Sequence, residues 1–152
     1  MADTSRILAY LASCEDKDAL ATLIENARKQ GEVEVEQAAF RKLIAIVPEA
    51  NPGSLEHDFW TTIHAFEFIL TRERGKTTRL ARTRQKVQRS GVTATLTDWA
   101  FGKQTEGFDM LIERGLPELC GEAVVMRHSD QFPQNVVDAA RQRLLDVGYD
   151  PT

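Results

Sequence analysis

Cysteine is scarce in this chain. Only Cys14 and Cys120 occur among the 152 residues, far apart in sequence. No disulfide framework is implied, and a reducing, cytoplasmic setting is expected. The short paired spacings of a structural zinc site are missing too, so Cys14, Cys120 and His128 do not read as ligands and no metal is expected. Cys120, between Leu119 and Gly121, reads as a small packing residue. Long apolar runs are also lacking. The most apolar stretch, Phe59 to Leu70, is interrupted by His64 and Glu67 and falls short of the ~20 apolar residues of a membrane span. Residues 1–6 show no basic start leading into an apolar run, so no signal peptide and no membrane partner are expected. Alternating strand patterns are nearly absent: Val92 to Leu96 is the single candidate, and a lone strand has nothing to pair with.

Motifs of known chemistry are missing as well. Gly75-Lys76-Thr77 has the ending of a phosphate-binding P-loop, but that pattern needs glycine where Leu70 stands, and no strand precedes it. ATP binding is unsupported and no cofactor is expected. No G-x-S-x-G occurs, and Ser90, Ser129 and Asp130 join no hydrolytic pattern. The acids are dispersed rather than grouped as a catalytic pair. What remains is an ordinary globular composition, 42% hydrophobic and 28% charged, which excludes disorder, collagen and low-complexity coiled coil as descriptions of the whole. A chain of this size can bury roughly 68–70% of its unfolded surface around one core.

Helical periodicity fills the chain. Ile7, Leu8 and Leu11 share a stripe in 5–13. Leu20, Leu23, Ile24 and Ala27 follow the i, i+3, i+4, i+7 rule in 18–30, which stops at Gly31. Val35, Ala39, Leu43 and Ile46 mark 33–47, which ends at Pro48. The last two segments read as an antiparallel hairpin. Ala50-Asn51-Pro52-Gly53 is a loop, and Ser54 is an N-cap for a helix carrying Phe59, Ile63, Phe66 and Leu70 on one narrow arc. That helix is expected to be central, running through 54–90 unless Gly75 interrupts it. Phe68, opposite the stripe, implies that both sides are covered. Beyond Gly91 the expected helices are 96–101, capped by Thr95 or Thr97, then 106–114, 117–127 opened by Pro117, and 133–147. Trp99 and Phe101 are expected in the C-terminal core. Val35, Ala39 and Leu43 are echoed in spacing by Val136, Ala140 and Leu144, either as related hairpins or as two amphipathic helices that converged. The expected fold is all-α: a helical bundle of about seven helices, a long central helix and flanking αα-hairpins. It is read as a single domain over 1–152, with hairpin 1–50, central and basic helix 54–90 and helical half 92–150.

The charge is uneven. The whole chain carries −4, yet 72–89 holds Arg72, Arg74, Lys76, Arg79, Arg82, Arg84, Lys86 and Arg89 against Glu73 alone. That segment is +7, and the remainder sums to −11. Leu80 and Val87 give it a thin apolar stripe. Such a helix suits polyanions: each phosphate contact releases counterions, Thr and Gln can donate to phosphate or base edges, and six arginines to two lysines favour bidentate contacts. The expected nucleic-acid contacts are Lys76, Arg79, Arg82, Arg84, Lys86 and Arg89, with duplex DNA favoured. Alternatively, these arginines dock on an acidic protein, on a second copy in a homodimer, or on the acids Glu15, Asp16, Asp18, Glu32, Glu34 and Glu36 of the same chain. They could also simply face solvent, since surface pairs contribute only about 0–1 kcal/mol each.

Two other constellations are weaker. The 106–127 region has the outline of a helix-turn-helix, but Glu118 and Glu122 on its second helix repel phosphate. His57, Trp60, His64 and Glu67 share a helix flank, with Glu67 one turn from His64, which would place a small enzyme site there. The two histidines lie about 10 Å apart along the axis, too far for one metal, and a packed face with hydrogen-bonded histidines is the better reading. The expected function is a non-enzymatic binding module, an accessory or regulatory factor contacting nucleic acid. A protein-interaction adaptor or inhibitor is the alternative.

Overall fold

The computed structural model describes residues 4–151, and among these no strand occurs. Two compact units emerge, Met1–Glu49 and Ala50–Thr152. In the first, α1 (Thr4–Ser13), α2 (Lys17–Gln30) and α3 (Val33–Ile46) follow one another. Asp16 opens α2 by accepting the amides of Asp18 and Ala19 at 3.0 and 3.1 Å, as short acids do at N-caps. Gly31 closes it in the left-handed region, φ 73°. Leu20, Ile24 and Ala27 of α2 and Val35, Ala39, Leu43 and Ile44 of α3 are buried, so the hairpin read from periodicity is present.

The second unit holds α4 (Leu55–Arg74), α5 (Ala81–Ser90), α6 (Val92–Phe101), α7 (Glu106–Glu113), α8 (Gly121–Arg127) and α9 (Gln134–Asp146), with 3₁₀ turns at Pro117–Leu119 and Ser129–Gln131. Ser54 caps α4 as its sequence implies, its hydroxyl accepting the His57 amide at 3.1 Å. Leu55, Phe59 and Ile63 of α4 meet Leu96 and Ala100 of α6, Val124 and Val125 of α8, and Val136, Val137 and Ala140 of α9 in one core. Burying each large apolar side chain of this kind contributes about 1.5–3 kcal/mol. His128 Nε2 lies 2.7 Å from Asp58 Oδ2, joining the end of α8 to the first turn of α4.

Nine α-helices are described rather than about seven, and the differences have local causes. The 54–90 segment is two helices. Gly75 adopts φ 70° and donates its amide to Thr71, a left-handed cap that a Cβ would disfavour. The 117–127 segment breaks at Cys120, whose backbone is extended. Val92 to Leu96 opens α6 instead of forming a strand, since tertiary packing overrides β-branched propensity. Thr95 and Thr97 therefore lie inside α6 rather than capping it, their hydroxyls bonded to the Gly91 and Thr93 carbonyls, a helix-interior use of threonine. Trp99 packs against the core, stacked on Phe59 at 5.5 Å between centroids. Phe101 does not: it is 54% exposed. Among the described residues no helix is long and apolar enough to cross a membrane.

Candidate functional site

The basic segment begins as an irregular stretch after Gly75 and becomes α5 at Ala81. No residue of α5 is buried, as its thin apolar stripe implies. At 100° per residue, Leu80, Val87 and Arg84 fall on one side, and Arg82, Gln85 and Arg89 on the other. Leu80 and Val87 pack against the core from outside. Arg84 shares their side, and its environment explains why a charge can sit there.

Arg84 meets Glu67, a carboxylate that α4 buries to 8% exposure. Nη2 donates to Oε1 at 2.6 Å and Nε to Oε2 at 2.8 Å, and the Leu80 amide also donates to Oε2 at 2.8 Å. Two-pronged arginine binding of this kind is among the stronger hydrogen-bond arrangements. The guanidinium also lies 5.3 Å from the centroid of Trp60, within cation–π range. Burial pushes the Glu67 carboxyl up, but the Arg84 hydrogen bonds, the Leu80 amide and the neighbouring positive charge outweigh it. The net result lies below the ordinary carboxylate value. The same hydrogen bond raises Arg84 further, so it stays charged.

The six sequence-predicted contacts are thus not equivalent. Arg84 is committed to Glu67 and Trp60. Lys86 is half-buried and paired with Asp98 of α6. Lys76, Arg79, Arg82 and Arg89 are exposed, and among the described residues no acid pairs with any of them. Arg74, also exposed, belongs with these four by position, whereas Glu73 beside it pairs with Arg114.

At the His57–Trp60–His64–Glu67 flank, both Glu67 oxygens accept hydrogen bonds from Arg84 and the Leu80 amide. His57 is buried, its Nδ1 3.9 Å from Asp58 Oδ1, and the His64 and Trp60 rings lie 6.5 Å apart. Among the described residues no group of three or more His, Cys, Asp or Glu side chains gathers as a metal would require.

Sequence reasoning missed the role of Glu67. The available signal was an acid on a helix flank otherwise rich in Ile and Phe, which must find a cation if buried. Which of eight basic residues it would find is set by the turn at Gly75, and periodicity does not carry that information. Glu122 of α8 is likewise not the repelling surface acid that its sequence suggests. It is 4% exposed and faces Arg143 at 3.2 Å. The chain matches no protein-family profile, no curated protein and no solved structure.

Proposed function

We propose that the second unit is a non-enzymatic binding module that engages the phosphate backbone of nucleic acid, duplex DNA foremost, through Lys76, Arg79, Arg82 and Arg89. One observation carries this reading: four exposed cations without an acidic partner among the described residues, on a segment where Arg84 and Lys86 are already paired. Those two support it indirectly by fixing the orientation of α5. The inward side of the helix is held by Glu67, so the outward side is presented in a fixed geometry, and phosphate contacts of this type position a protein on the duplex. A regulatory or accessory role in a reducing cytoplasm agrees with two buried free thiols.

Fluorescence anisotropy with a labelled duplex of about 20 base pairs tests it. Four phosphate contacts make affinity fall about a hundredfold between 50 and 200 mM salt. The combined variant Arg79→Glu, Arg82→Glu and Arg89→Glu loses binding at both salts. Salt-independent affinity, or a triple variant that binds like the parent, overturns the proposal. Absence of duplex binding at either salt overturns it too, and transfers the four cations to an acidic protein partner.

A further inference from the structure

The second unit also contains a partly open cavity of ≈ 300 Å³, separate from the outward side of α5. Its walls include Phe66 of α4, Trp99 of α6 and Phe108 of α7, and the inner side of α5 closes it through Thr83. Two glycines let the rings approach bare backbone. A Cβ at Gly121 would come within 2.5 Å of the Trp99 ring, and one at Gly107 within 3.0 Å of Phe66. The aromatic walls are therefore seated on backbone and preformed, as small-molecule sites usually are.

Three charged residues line this space. Arg74 and Glu106 are exposed to solvent, and Glu122 alone is buried, at 4% exposure. Burial, partly offset by its own amide and by Arg143, holds the Glu122 carboxyl above the ordinary value. Apart from its own amide, Arg143 is the single donor to this carboxylate among the described residues, and it reaches Oε2 alone. The rest of the Arg143 guanidinium is spent on the Trp99 carbonyl, at 2.7 Å, and on the Gly102 carbonyl. Oε1 receives no bond from another described residue, and a carboxylate oxygen has room for a donor that a ligand brings into the cavity. Cys120 lies in the same wall, but burial pushes its thiol up to about 12. It is not a nucleophile at neutral pH, and the chemistry here is binding.

We propose that this cavity takes a small planar aromatic molecule carrying an N–H donor, with its ring against Trp99 and Phe108 and its N–H on Oε1 of Glu122. The volume is at the small end for ligand pockets, so the occupant is one or two fused rings. Aromatic pairing in offset or edge-on geometry favours a flat ligand over an aliphatic one of equal area.

Indole and benzofuran make the test, because they share size and shape while only indole donates. In ¹H–¹⁵N NMR titrations of the whole chain without nucleic acid, indole shifts the Gly107 and Gly121 amides saturably. Benzofuran binds about tenfold more weakly, the value of a lost hydrogen bond to a charged acceptor. Thr83→Phe, which fills the cavity from α5 without replacing Glu122 or Arg143, weakens indole binding by more than about tenfold. No saturable shift with indole, equal affinity for both compounds, or unchanged indole binding in the Thr83 variant overturns the proposal. The two-compound comparison needs no variant, so it remains decisive if that variant fails to fold. None of these outcomes bears on DNA binding.

Discussion

Glu67 and Glu122 are both buried carboxylates facing an arginine, yet their surroundings push them in opposite directions. Glu67 receives two bonds from Arg84 and one from a backbone amide, and lies below the ordinary carboxylate value. Glu122 is more deeply buried, at 4% exposure against 8%, receives one long arginine bond, and lies above it. Burial raises both, and deeper burial together with fewer donors makes it prevail at Glu122 alone. Glu67 functions as an anchor for a neighbouring element, whereas Glu122 is a polar group kept underused inside an aromatic wall.

The largest test of this contrast is deletion. Glu67→Ala strands Arg84 and the Leu80 amide together, and is expected to cost about 3 kcal/mol in urea unfolding. Glu122→Ala leaves Arg143 with two carbonyl acceptors and costs about 1 kcal/mol. Equal losses would break the comparison. Double-mutant cycles sharpen it: coupling between Glu67 and Arg84 exceeds coupling between Glu122 and Arg143 by on the order of 1 kcal/mol.

The pH dependence has opposite signs at the two sites. A carboxyl lowered by folding contributes stability above its unfolded value and loses it as pH falls through the folded value. Glu67→Gln therefore flattens the decline in stability on acidification below the ordinary carboxylate range. A carboxyl raised by folding behaves conversely: the native state holds the extra proton, so Glu122 gains stability as pH falls through its raised value. Glu122→Gln removes that gain. Equilibrium unfolding from neutral pH down through the carboxylate range reads both, and slopes of the same sign would refute the assignment. The smallest effect is expected at the outward cations. Arg82→Glu leaves the urea midpoint unchanged while altering DNA affinity, since surface substitutions away from packed features are near neutral.

Much of the helical content is readable from the chain alone. Ser54, Gly31 and the stripe Phe59–Ile63–Phe66 act as their types and spacing imply, because capping and periodicity are local properties. The breaks are harder to read. At Cys120 no proline or glycine occupies the broken position itself, and the extended backbone there follows from tertiary packing. The Val92–Leu96 run carries β-branched residues whose propensity the surrounding helices override. The basic segment is legible as a charge excess, but its division into committed and exposed cations is not. That division depends on the turn after Gly75, which brings Arg84 back to Glu67 across seventeen residues.

The absence of any buried residue in α5 has a consequence for motion. Attached by the Arg84–Glu67 and Lys86–Asp98 ion pairs and two half-buried apolar side chains, this helix is expected to open at lower free energy than α4, α8 or α9, whose apolar faces form the core. In native-state hydrogen exchange its amides are expected to trade with solvent before those of α4, α8 and α9. Acid widens the gap, because protonating Glu67 releases the attachment before the core yields. The segment with the densest positive charge is thereby expected to loosen ahead of α4, α8 and α9 on acidification, while at neutral pH Glu67 holds it docked.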